Sequence, residues 1–227
     1  MTKPTRVVRV LSLGQIDYTK ALDIQKKCIE LVKSRDEDFL VMQEHPPTIT
    51  LGKNATEQDL VWNKSEFGDK GIAIVATDRG GKLTAHNPGQ LVGYPIFNLE
   101  VHKLRTRAFV TKVEQALQKT LQHYGIDTTV FDDRPGLWSN EKKIAALGFR
   151  IEGRISSHGF AINVNNDLGI FKTINPCGFS SSSVTSMAHT LKDTTPAISD
   201  VSEVITKHIA QSFEQKVETI DNASFLQ

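Results

Sequence analysis

The chain has 227 residues, of which 39% are apolar, enough for a substantial core, and one domain spanning residues 1–227 is the expectation. Its 27 basic and 26 acidic side chains nearly cancel, and no run approaches transmembrane length, which excludes nonspecific binding to nucleic acid through uniform charge and insertion in a membrane. The two cysteines, Cys28 and Cys177, are too few for a disulfide scaffold and lack the paired spacing of a zinc site, so a reducing, cytoplasmic setting is expected.

The start, MTKPTRVVRVLSLG, lacks the uninterrupted apolar core and cleavage site of a secretory leader. Weak alternation over Arg6 to Leu13 predicts a first strand, broken at Gly14. Tyr18, Ala21, Leu22, Gln25, Cys28, Ile29 and Val32 follow helical spacing behind Asp17, a candidate N-cap. Cys28 therefore reads as a small core residue. Phe39 to Met42 and Thr48 to Leu51 read as the strands of an irregular hairpin around Pro46-Pro47. A loop and short helix over Thr56 to Gly71 precede a strand from Ile72 to Val75.

The stretch from Thr77 to Gln90 is dense in special residues. Gly80-Gly81 and Pro88-Gly89 allow close backbone approach beside Arg79 and His86, which suits either a ligand pocket or a solvated hairpin loop. It is not a phosphate loop, because the Gly-Lys-Ser/Thr ending is missing. Gly93 and Pro95 mark Leu91 to Leu99 as an edge or bulged strand. A long helix from Thr106 to His123, with Phe109, Val113, Ala116, Leu117 and Tyr124 on one face, should end at Gly125. Strand-like pieces at Thr128 to Phe131 and Gly136 to Ser139 follow. Near the end, Val201, Val204, Ile205, His208 and Ile209 form a helix face behind Ser199, read as its N-cap, with His208 packing there. Strands and helices interleave without a regular βαβ period, so the fold class is α+β.

The chemistry gathers between Lys143 and Gly178. Cys177 sits in Pro176-Cys177-Gly178, a turn that suits an exposed thiol, and Ser180 to Ser183 read as a loop leading to a helix near Val184. A thiolate is the nucleophile, and Lys142, Lys143, His86 and His158 are the candidates for the cation that would favour it. Alternation puts Lys143, Ala145, Leu147 and Phe149 on one strand face and Lys142, Ile144, Ala146 and Gly148 on the other, and does not choose between the lysines.

Arg79-Gly80-Gly81 through His86, Pro88-Gly89-Gln90, Lys143-Ile144-Ala145-Ala146-Leu147-Gly148, His158-Gly159, Asn163-Val164-Asn165, Asp167-Leu168, Pro176-Cys177-Gly178 and Thr185-Ser186 together resemble the octanoyltransferase family of lipoate biosynthesis. The resemblance implies a mixed sheet flanked by helices, like the catalytic domain of lipoate and biotin protein ligases. It implies transfer of octanoyl from acyl carrier protein to a lysine of lipoyl domains, those of 2-oxoacid dehydrogenase complexes and the glycine cleavage H protein. Cys177 would carry the acyl thioester, with Lys143 beside it as activator and acid/base. The pocket would comprise Arg79, Gly80, Gly81, Lys82, Leu83, Thr84, Ala85 and His86, then Ala146, Leu147 and Gly148, then Gly159, Phe160 and Ala161.

The donor thioester is already activated, so no ATP, other cofactor or metal is implied. Asn87 departs from the pattern, standing where the family more often has glycine. Among rivals, an ATP-using ligase of the same fold needs no cysteine nucleophile. A thiol protease would pair Cys177 with His158 or His86 but has no signature around the cysteine, and a non-catalytic binding protein would not need both Lys143 and Cys177. Lys142, Arg150 and Arg154 are the residues expected to steer acidic partners.

Overall fold

In the computed structural model the described residues are 6–35, 37–174, 183–192 and 194–226, so Cys177 and the expected turn around it lie outside them. An eight-stranded sheet forms the frame. Its centre is β2 (Asp38–Glu44), β6 (Gln90–Ile96) and β10 (Ile155–Asn163), with β1 (Arg6–Gln15) and β11 (Gln215–Thr219) on one side. On the other side follow β9 (Lys142–Glu152), β8 (Leu137–Ser139) and β7 (Thr129–Val130). β1 runs parallel to β2 and β11 while the remaining pairs are antiparallel, which gives the expected mixed sheet.

Alternate residues of the central strands serve two cores. Leu40, Met42, Leu91, Phe160 and Ile162 pack against α3 (Thr106–His123) and α5 (Ile198–Ser212), whereas Phe39, Val41, Val92, Tyr94 and Ala161 pack against α1 (Tyr18–Arg35). Burial on both faces explains why β2 and β6 carry the apolar runs Phe39 to Met42 and Leu91 to Ile96.

The Asp17 carboxylate accepts from the backbone N–H groups of Thr19 and Lys20, at 2.9 and 3.3 Å, and starts α1 as expected. Cys28, on its buried face, has its thiol pushed up to about 12 by burial, which makes it an inert core residue. Helix α3 stops at Tyr124, and Gly125 follows at φ +76°.

Several local expectations fail for identifiable reasons. Gly14 does not end β1; at φ +63° it forms an irregularity in the pairing with β2 between Ser12 and Gln15. β3 (Thr48–Leu51) does not return along β2. Pro46 and Pro47 turn the chain into a second, three-stranded sheet, where β3 lies between β4 (Ala73–Ala76) and β5 (Leu83–His86), with α2 (Lys64–Asp69) before β4.

β6 is central, not an edge. Its ladder to β10 ends at Gly93, so Pro95 lies where no N–H is needed, and Gln25 Oε1 accepts from the backbone N–H of His158 at 2.6 Å instead. α4 (Met187–Leu191) begins behind Ser186, whose hydroxyl accepts from His189 N–H at 3.2 Å, while Val184 forms a bridge with Lys143. Ser199 lies inside α5, whose N-cap is Ala197. His208 bonds Thr120 of α3 through Nδ1 at 2.9 Å. The described chain closes on α6 (Asn222–Leu226). Among the described residues no helix is long and apolar enough to cross a membrane.

Candidate active site

Residues of the second sheet, the large sheet, α1 and α3 line a cavity of about 630 Å³, within the range that holds small ligands, roughly 300–1,000 Å³. Val110 of α3, Leu147, Phe149 and Ile151 of β9, and Phe160 of β10 give it apolar walls. Arg79 through Thr84, His86, Lys143, Ala146 to Gly148, and Gly159 to Ala161 all line it. Ala85 does not: it is fully buried in the apolar cluster of Ile49, Phe67 and Phe171 beneath the second sheet.

Glycines let backbone form part of the wall. Gly80 N–H donates to Phe149 O at 3.1 Å, and a Cβ on Gly148 would lie only 3.2 Å from Gly80 O, so the loop 79–81 rests directly on β9. A Cβ on Gly159 would collide with Gly93 O, which holds β6 and β10 too close for any side chain there.

On one wall the polar groups are tied together. The buried Arg79 guanidinium donates from Nη2 to Thr50 O at 2.7 Å and to Thr50 Oγ1 at 2.9 Å, and from Nη1 to Gly80 O at 3.0 Å. Gln90 gives both amide hydrogens away, to Ala85 O and Asn163 Oδ1, so its Oε1 accepts from His86 Nδ1–H at 2.7 Å and leaves Nε2 of that ring as an acceptor. Behind it, His45 Nδ1–H donates to Ile16 O at 2.8 Å, and Tyr94, hydrogen-bonded to Tyr18, stands 3.4 Å from His45 Nε2.

Burial pushes His45 down to about 4 and His86 well below its ordinary range, and it raises the Tyr94 phenol. Burial, with Arg79 and Arg150 near, also lowers His158 to about 4. Its 2.6 Å bond to Asp78 favours the charged ring, but Asp78 shares its charge with Arg150, and burial wins. His45, His86 and His158 are thus neutral at pH 7, which removes the two of them named as possible cations, His86 and His158, from that role.

The opposite wall carries Lys143. Ala145 pairs with Leu137 but Lys143 with Trp138, so Ile144 is an extra residue that interrupts the alternation and buries Ile144 and Ala145 together. The half-buried Lys143 ammonium lies 5.0 Å from the Trp138 ring centre, while Lys142 is exposed. Lys143 O accepts from Thr185 N–H at 2.9 Å, so the chain resumes beside it, and Val184 and Phe171, on the two sides of residues 175–182, both line the cavity.

Asn87 keeps an ordinary backbone conformation: its amide donates to Asp167 O at 2.8 Å and accepts from Asn166 at 3.0 Å, while Gly89 takes the φ of +92°. Sequence reading missed Tyr18, Gln90, Tyr94, Gly136 and Trp138. Tyr18 and Tyr94 lie on faces that also supply core, so periodicity counts them as packing.

The family model of the lipoyl protein ligase A/B catalytic domain matches residues 17–210. Across 217 residues the chain is 40% identical to an octanoyltransferase of Koribacter versatilis, covering 93% of this chain and 86% of that one. Across 206 residues it is 42% identical to an octanoyltransferase of Solibacter usitatus, covering 89% and 91%. A lipoate-protein ligase A bound with ATP superposes with a TM-score of 0.81 over 96% of this chain and 91% of that one, at 15% identity, a likeness of fold alone.

Proposed function

Because this chain belongs to the octanoyltransferase family, we propose that it moves an octanoyl group from a thioester on acyl carrier protein to a lysine of a lipoyl domain, by way of a thioester on Cys177. The observation that carries this reading is the pairing of an apolar cavity with Lys143, held in its wall against an indole ring: aliphatic and aromatic side chains suit an alkyl chain, and Lys143 supplies the proton.

In the first step the Cys177 thiolate attacks the donor's carbonyl carbon. The new carbon–sulfur bond forms, the old one breaks, and the Lys143 ammonium protonates the leaving thiolate. In the second step the neutral amine of the acceptor lysine attacks the acyl-enzyme. Lys143, now an amine, takes the proton from the attacking nitrogen, and Cys177 departs as a thiolate with the cycle closed. Exchange between two thioesters is nearly balanced, whereas amide formation runs downhill, so no nucleotide is required.

Residues 1–227 act as one catalytic unit in this scheme, with Arg79 to Thr84, His86, Ala146 to Gly148 and Gly159 to Ala161 around the acyl chain. Intact-mass measurement after mixing with octanoyl-acyl carrier protein tests it. One octanoyl adduct on Cys177, absent in Cys177→Ser and discharged by a lipoyl domain without ATP, is expected. An adduct on Cys28, or transfer of free octanoate that strictly needs ATP, overturns the scheme.

A further inference from the structure

We propose that Trp138 is a positioning residue for this transfer, its indole face holding the Lys143 ammonium in the cavity wall. The inference rests on the role given to Lys143 above. At 5.0 Å from the ring centre, the ammonium lies inside the ~6 Å over which an aromatic quadrupole attracts a cation.

The indole itself is fixed. Its Nε1–H donates to Arg134 O, four residues back, at 3.0 Å, and the side chain is 2% exposed. The Arg134 guanidinium carbon sits 4.9 Å from the same ring and 3.8 Å over Phe131, which in turn meets Trp138 edge-on. Gly136 fixes the lysine stem: it holds φ +121°, and a Cβ there would stand 2.5 Å from Ala145 O and 3.1 Å from Lys143 Cε. The extra residue Ile144 is what sets Lys143 opposite Trp138. Three consecutive features of one short segment, Arg134, Gly136 and Trp138, therefore converge on one side chain.

The chemistry gives this arrangement its use. Lys143 must be charged when acylation begins and neutral when the acceptor amine attacks, so neither form can be held too strongly. Partial burial favours the neutral amine. The aromatic face favours the cation and keeps its position after the proton leaves. Among the described residues the charged and titratable groups facing the same cavity are Glu114 of α3, its carboxyl raised by burial, Asp133 beside Arg134, and Tyr18, Arg79, Lys82, His86, Tyr94 and His158 of the far walls.

The test uses the full chain. With Trp62→Phe as background, Trp138 is the remaining one of the two tryptophans, and its emission is followed against pH. A step in emission whose midpoint matches that of Lys143 labelling by an amine-reactive reagent, and which disappears in Lys143→Met, is expected. In Trp138→Leu the labelling midpoint should fall by about half to one pH unit and kcat by about 5- to 10-fold with KM little changed, and Trp138→Phe should restore most of both. An emission step that survives Lys143→Met, or an unmoved labelling midpoint in Trp138→Leu, overturns the proposal. If Trp138→Leu does not fold, the emission measurement and Trp138→Phe decide. Full transfer by Lys143→Met would instead remove the reading of Lys143 as acid and base, and emission and labelling would still judge whether Trp138 holds the ammonium.

Discussion

On the cavity wall formed by Arg79, His86 and Tyr94 the polar groups are bonded to one another and to backbone, whereas on the wall formed by Gly136, Trp138 and Lys143 a cation rests against an aromatic ring. The first wall fixes shape and keeps its imidazoles neutral; the second sets one amine against an aromatic face. Networks of buried hydrogen bonds are costly to break and tolerate little rearrangement. Cation–ring contacts are weaker and less directional, which suits the proposed role of Lys143, a group that would lose one proton and regain one in each turnover.

The sharpest way to separate the walls is to remove the amine. Lys143→Ala is expected to lower transfer by about 10²- to 10⁴-fold, the usual contribution of a positioned acid/base, while thermal unfolding changes little. Lys143→Arg keeps the charge and cannot readily release a proton, so it should restore alkylation of Cys177 near neutral pH better than it restores turnover. Equal rescue of both by Lys143→Arg would leave Lys143 with an electrostatic role only.

The bonded wall should show itself in stability. His45 and His158 fall from an ordinary 6.5 to about 4 in the folded chain, so the unfolded chain binds more protons between those values. Stability is therefore fully present above pH 6.5 and is lost as pH falls toward 4, by roughly 3 kcal/mol from each ring at the lower limit. Urea midpoints measured from pH 7.5 to 4.5 should decline across this window. Arg79→Met should flatten the part due to His158, because that guanidinium helps to hold the ring neutral. A midpoint independent of pH would mean that the imidazoles are not buried as neutral groups.

Much of the frame was legible from spacing. α1 and α3 carry long apolar faces with a capping Asp17 and a stopping Gly125, signals that lie entirely within the local chain. Partner choice was not local, and there the reading failed. Thr48 to Leu51 is a strand by composition, but whether it pairs with β2 or founds a second sheet depends on β4 and β5, which are not adjacent to it in sequence. Pro95 looked like an edge residue because the interruption that tolerates it lies in β10 and is satisfied by Gln25 of α1.

The two lysines could not be told apart for a similar reason: strict alternation holds only until a bulge, and the extra residue at Ile144 is imposed by β8. The family motifs named Lys143, but the residues it lies against, Gly136 and Trp138, carried no local sign of that contact.

The adjacent pair Lys142 and Lys143 offers the smallest effect and the cleanest control. Of the three basic residues expected to steer acidic partners, Arg150 is engaged with Asp78 and Glu152, and Arg154 donates to Leu104 O at 3.2 Å, which leaves Lys142 exposed at the start of β9. A solvated charge near the cavity raises the rate of encounter with an acidic protein and does little after docking, since salt screens it over about 8–10 Å. Lys142→Gln should slow association with acyl carrier protein by about 2-fold at low salt and not at all near 0.5 M salt, with the single-turnover transfer rate unchanged. Lys143→Gln should do the reverse, leaving association nearly intact and stopping transfer. Stopped-flow association and single-turnover transfer on both variants separate the outcomes, and a salt-independent loss of transfer in Lys142→Gln would place that lysine inside the site and undo the contrast between neighbours.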